Sequence, residues 1–214
     1  MSSLQQEEKS IAKEEIYSFF DEKLEKNEIF LGKSGPNWDK EREAIDTIVI
    51  HHTANNPDIS LKRLNTIQLL NLYAVYYNNP AKHEEHIKRT PIYSNHFQNN
   101  QQIFYGYHWF IRMDGSTQRL LNDNQIGWHC GNWSINKKSI AICLDNNYDN
   151  SIPSKKLLEK IANIITTNYP QVKIENIKGH REIKTETSCP GNTFLSDWKQ
   201  ELLQFVLKNK QNIQ

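Results

Sequence analysis

Ile45-Asp46-Thr47-Ile48-Val49-Ile50-His51-His52-Thr53 is the stretch around which the chain organises. From Ile45 to Ile50 it is β-branched and apolar on both faces, so neither face of the strand it forms can be left to water. Such a strand lies inside a sheet that helices cover. It ends on two histidines, residues that can bind metal or move protons.

Downstream, Asn55-Asn56-Pro57-Asp58 offers a helix cap. Leu61, Leu64, Ile67, Leu70 and Leu72 then recur at helical spacing, which predicts a helix over residues 59–77. Residues 78–106 are polar, carry two prolines and repeat no period, so they are expected to form a long loop with at most one short helix. Loops of that length commonly act as lids or binding elements.

Tyr107 to Arg112 reads as a strand, Met113-Asp114-Gly115-Ser116 as a hairpin turn and Thr117 to Leu121 as its partner. Ser139 to Leu144 gives a further strand, and Leu157, Leu158, Ile161, Ile164 and Ile165 mark a helix over 154–167. Val172 to Ile177 leads into Gly179-His180-Arg181-Glu182, and a last helix is expected from about Gly191 to Leu207. The alternation of strands and helices predicts an α/β domain, residues 41–214, with a central mixed β-sheet flanked by helices.

Upstream, Ile11, Ile16, Phe19, Phe20 and Leu24 are spaced as on an amphipathic helix, and Gly32, Gly35 and Pro36 punctuate a linker. Residues 1–40 are therefore expected to be an N-terminal helical extension, its apolar stripe packed on the main domain.

The 26 basic and 25 acidic residues leave a formal charge of +1, which gathers no polyanion at long range, so no nucleic acid partner is expected. No stretch is apolar for the length of a membrane span, so no membrane partner is expected either. The polar start MSSLQQEEKSIAKEE is unlike a secretory signal. The chain as written is expected to be cytoplasmic, with release by lysis or non-classical export as the outward routes, and to be a monomer. Cys130, Cys143 and Cys189 make an odd set, which argues against a disulfide framework and leaves room for a thiolate ligand.

Catalytic zinc takes three protein ligands and keeps a fourth position for water. A histidine at a strand end, a histidine in a loop and a cysteine nine residues later could supply that set. Side-chain alternation does not choose between His51 and His52, which point to opposite faces of a strand buried on both.

Ile48-Val49-Ile50-His51-His52-Thr53-Ala54, Gly106-Tyr107-His108-Trp109-Phe110-Ile111 with Asp114-Gly115, and Gly127-Trp128-His129-Cys130-Gly131-Asn132 follow one another in order. Ser139-Ile140-Ala141-Ile142, Gly179-His180-Arg181-Glu182 and Cys189-Pro190-Gly191 continue the series. Together, over roughly residues 44–205, they resemble the type 2 N-acetylmuramoyl-L-alanine amidases, a family that includes phage amidase lysozymes, wall-recycling amidases and animal peptidoglycan recognition proteins.

The resemblance implies that Zn2+ is held by His51, His180 and Cys189, a donor set that leaves one net positive charge. It implies hydrolysis of the amide between the lactyl group of N-acetylmuramic acid and L-alanine, in peptidoglycan or muropeptides. Tyr107 matches the tyrosine that stands near the reacting water in active members. Thr187 matches a residue that steadies the tetrahedral intermediate, although the interval from His180 to Cys189 is one residue longer than the common form, which leaves Ser188 as the alternative. His129 and Asn132 fall in a segment that lines the substrate cleft. His83, His86 and His96 lie outside the matching segments and are not expected to be ligands. Two other readings remain: a non-catalytic peptidoglycan-binding module of the same fold, and a zinc-stabilised interaction domain whose fourth site Cys130 or His129 closes.

Overall fold

The structure, a computed structural model, describes residues 3–78 and 91–213. His83, His86 and residues 79–90 of the segment expected to carry a short helix lie outside them. The chain divides into two compact units, Met1–Asn37 with Ser60–Phe104 and Trp38–Ile59 with Tyr105–Gln214.

The second unit carries the sheet. Strand β1 (Thr47–His52) is buried at every residue and lies parallel to both of its neighbours. It meets the expectation of an inner strand, and it extends through both histidines. The strands β4 (Trp109–Ile111), β5 (Thr117–Arg119), β6 (Ser139–Leu144) and β7 (Ile177–Gly179) complete a sheet of order β5-β4-β6-β1-β7. Only the β4–β5 hairpin is antiparallel, so the sheet is mixed as expected.

One face of the sheet meets helices α4 (Lys155–Asn168) and α5 (Lys199–Ile213). Ile48 and Ile50 of β1 and Ile140, Ile142 and Leu144 of β6 join Leu158, Ile161, Ile165, Trp198, Leu202 and Val206 in a fully buried core. The alternate residues, Val49 and His51 of β1 with Ser139, Ala141 and Cys143 of β6, point to the opposite face. A short helix α3 (Trp133–Asn136) precedes β6.

The expected C-terminal helix begins later than Gly191. Gly191 has φ +145°, and a Cβ there would stand 2.3 Å from the Tyr148 carbonyl oxygen. Its backbone is therefore not helical, and a single π-turn (Phe194–Trp198) leads into α5 instead.

The first unit holds α1 (Ser3–Glu25), α2 (Leu61–Asn78) and a hairpin of β2 (His96–Gln98) and β3 (Gln101–Ile103). The hairpin falls where a loop was expected. Asn99 (φ 50°) and Asn100 (φ 61°) provide the two left-handed residues of a tight turn, a signal weaker than Asn-Gly and flanked by strands of three residues.

The stripe on α1 also departs from expectation: Ile11, Ile16 and Phe19 are exposed, and only Phe20 and Leu24 are half-buried. A polar seam joins α1 to α2. Arg63 Nε donates to buried Asp21 at 2.9 Å, the Thr66 hydroxyl donates to the other Asp21 oxygen, and Lys62 pairs with Glu25 at 2.6 Å. Among the described residues, no helix is long and apolar enough to cross a membrane.

Candidate metal centre

Because β1 and β7 are parallel neighbours with Ile50 opposite Gly179, the next residues of each, His51 and His180, emerge side by side. Their ring centroids are 4.8 Å apart. The residues around His180 fold the chain back on itself. Glu182 accepts the Gly179 amide at 2.7 Å and closes a tight turn. The Arg181 amide donates to the Cys189 carbonyl at 2.8 Å, and its guanidinium donates to the Gly191 and Asn192 carbonyls at 2.8 and 3.0 Å. This return brings Cys189 beside the two imidazoles.

The donor atoms of His51, His180 and Cys189 all lie within 4.8 Å of one another. The Cys189 thiol is 3.6 Å from His51 Nδ1. His180 Nε2 is buried without a hydrogen-bond partner, while the same ring is hydrogen-bonded to the Cys130 carbonyl. This nitrogen is thus left unpaired in a ring that belongs to the cluster. A buried, unpaired nitrogen among a thiol and a second imidazole is what a metal ion would satisfy.

The electrostatics agree. Burial holds the His51 imidazole well below its usual range, with nearby His129, His180 and His52 adding to the effect. Burial likewise lowers His180 to about 4, against the opposing hydrogen bond to Cys130. Both rings are therefore neutral at pH 7, as ligands must be. Burial pushes the Cys189 thiol up to about 12, although the His52 amide donates to its sulfur at 3.4 Å. A dication would supply the charge that makes this thiol a thiolate. Among the described residues the set is of three donors, the pattern of an open site.

His52, the other candidate of the pair, faces the helix core. Its Nδ1 accepts the Tyr148 amide at 2.9 Å, and its Nε2 is 4.0 Å from Asp149. Tyr107, at the start of the segment leading into β4, lies with its ring 5.1 Å from the His51 ring and is hydrogen-bonded to the thiol of buried Cys143.

The Amidase_2 family model, described as N-acetylmuramoyl-L-alanine amidase, matches residues 41–192, which include all three donors. This chain belongs to that amidase family. No curated protein sequence matches it. Among solved structures, the chain is similar to the endolysin N-acetylmuramoyl-L-alanine amidase LysCS from Clostridium intestinale URNW, with 18% identity and a TM-score of 0.54. That match covers 82% of this chain and 94% of the other. It also resembles the Ph2119 endolysin from Thermus scotoductus MAT2119 bacteriophage Ph2119, with 17% identity and a TM-score of 0.50 over 77% of this chain and 86% of the other. Drosophila PGRP-LB matches at 19% identity and a TM-score of 0.50, over 78% and 85%. At these identities the likeness concerns the fold.

The remaining residues singled out in the amidase sequence take definite places. Thr187 Oγ1 accepts the Cys189 amide at 3.2 Å, so this side chain holds the cysteine backbone. Asn132 caps α3, its Oδ1 accepting from Ile135 N at 3.3 Å and from the Ser134 hydroxyl at 2.8 Å. His129 is buried behind His51, with Nδ1 3.0 Å from His51 Nε2 and Nε2 2.9 Å from the Ser139 hydroxyl. Both of its ring nitrogens are engaged within the protein. Cys130 turns its thiol away from the cluster, to Asn136 Oδ1 at 2.9 Å, and burial raises it to about 11. Sequence reasoning missed Ser139, Cys143 and the Cys130 carbonyl. The first two sit on β6, where only the register with β1, Cys143 opposite His51, shows that they share the site's face.

Proposed function

We propose that this chain is a zinc-dependent N-acetylmuramoyl-L-alanine amidase that hydrolyses the amide between the lactyl group of N-acetylmuramic acid and L-alanine in peptidoglycan or muropeptides. The observation that carries the reading is the convergence of one donor atom each from His51, His180 and Cys189, all within 4.8 Å of one another, inside the family-matched segment. These three would hold the zinc, which in that position supplies Lewis acidity toward an amide carbonyl and toward water.

The protein's own groups have separable tasks. The His52 amide, donating to Cys189 Sγ, favours the thiolate. Tyr107, beside His51, provides a phenol that can donate a hydrogen bond to negative charge developing on the substrate carbonyl oxygen. Thr187 keeps the cysteine backbone in place, and its hydroxyl proton can serve the same oxyanion. The bond broken is carbonyl carbon to nitrogen; water adds to the carbonyl, and the L-alanine amine leaves with a proton.

The test is zinc content of the purified chain together with release of free stem peptide from a muropeptide. About one zinc per chain and peptide release with a new alanine amine are expected. A metal-free protein that binds muropeptide without cutting it would overturn the reading in favour of a recognition module.

A further inference from the structure

His129 is buried, and its ring stands edge-on to His51 at 86°, with centroids 5.0 Å apart. The donor cluster needs a bare lone pair on His51 Nδ1, so the proton of that ring must sit on Nε2. A buried N–H requires an acceptor, and His129 Nδ1 is 3.0 Å away. His129 Nδ1 must then be unprotonated, which moves its own proton to Nε2, 2.9 Å from Ser139 Oγ. One proton arrangement satisfies all three side chains.

Ser139 is itself fixed. It is fully buried in β6, and Arg42 Nη1 donates to its carbonyl at 3.0 Å. The residue after His129 meets the other imidazole, where the Cys130 backbone opposes the lowering of the His180 pKa. The segment itself is closely packed. A Cβ on Gly127 would stand 2.1 Å from the Gly106 carbonyl oxygen, and Gly131 turns with φ +66°.

We propose that His129 is a positioning residue that holds His51 with Nδ1 bare toward His180 and Cys189, and that Ser139 terminates the relay. The proposal rests on the zinc reading above and assigns His129 to the metal's support rather than to substrate. Outer partners of metal-bound histidines fix the tautomer and ring orientation, and losing one costs about 10–100-fold in metal affinity.

The experiment measures zinc affinity of the full chain by competition with a chromophoric chelator, for wild type, His129→Phe, His129→Asn and Ser139→Ala. Proton positions on His51 are read in zinc-free protein by ¹⁵N histidine NMR. His129→Phe is expected to weaken zinc binding about 10–100-fold and to leave His51 a mixture of tautomers. His129→Asn places an amide oxygen where Nδ1 stood and is expected to restore most of the affinity and the Nε2–H form. Ser139→Ala falls between wild type and His129→Phe. The proposal is overturned if a folded His129→Phe binds zinc as wild type does, or if the Asn variant falls as far as the Phe variant. Should His129→Phe fail to fold, unchanged affinity in Ser139→Ala overturns it. A wild type that retains no zinc defeats the metal reading instead, and the ¹⁵N spectrum of the zinc-free chain then decides the proposal by itself.

Discussion

His51 Nδ1 and the Cys189 thiol stand 3.6 Å apart although 138 residues separate them along the chain. The contact depends on two backbone features: the parallel pairing of β1 with β7, and the loop that Arg181 ties back from His180 to Cys189. The first is remote from the cysteine in sequence, and the second closes on its own carbonyl.

Cys189→Ala is therefore expected to abolish zinc retention while leaving the sheet intact. Peptide release should fall by more than the ~10–100-fold that loss of an outer partner costs. Metal analysis beside circular dichroism reads both; a Cys189→Ala protein that still holds one zinc per chain removes this residue from the site.

Zinc should also stabilise the fold, because the neutral, buried donors of the native state are dispersed in the unfolded chain. Free zinc at a thousand times its Kd contributes about 4 kcal/mol, which appears as a higher Tm that a chelator reverses. Equal Tm values with zinc and with chelator would contradict a built site.

Tyr107→Phe keeps the ring that packs 5.1 Å from His51 and removes only the hydroxyl. Zinc content and KM should stay near wild type while kcat falls about 10²–10³-fold, the cost of one oxyanion donor. Unchanged kcat would make Tyr107 a packing residue.

Asp145 is fully buried, paired with Arg112 at 2.8 Å and accepting the Asp58 amide at 2.9 Å. Arg112→Ala strands this carboxylate and should cost about 3 kcal/mol at neutral pH. Burial already raises its pKa above the ordinary 3.8, with Arg112 opposing the rise. Without Arg112 the folded state takes up a proton at a higher pH than the unfolded chain does. The loss should therefore shrink as pH falls toward 3.8. Urea midpoints at neutral and mildly acidic pH check the sign, and a penalty that grows on acidification would refute it.

Gly127→Ala drives a Cβ into the Gly106 carbonyl at 2.1 Å. About 1–3 kcal/mol of stability should be lost, together with zinc affinity, because the same segment carries His129 and Cys130. A Gly127→Ala protein as stable as wild type would show that the loop yields without cost.

By itself the sequence determined the inner strand, its two parallel-type apolar faces, the α4 pattern and the segments that carry His51, His180 and Cys189. These are short-range signals: consecutive apolar residues on a strand and helical spacing of Leu157 to Ile165 survive any arrangement of the rest. It could not choose between His51 and His52, since a strand buried on both faces offers no polar side to count from. In the tertiary structure it is His51, not His52, that stands beside His180 and Cys189. Ile48 and Ile50 meet α4 and α5, so His52 follows them toward the core and His51 shares the opposite face with Cys143 and Ser139. The polar seam of α1 escaped because buried Asp21 is satisfied only by Arg63 and Thr66 of α2, more than 40 residues away. The contacts behind His51 escaped for the same reason. Ser139 and the Cys130 backbone reach the two imidazole rings through register and loop closure, and backbone groups leave no residue-type signature in a sequence.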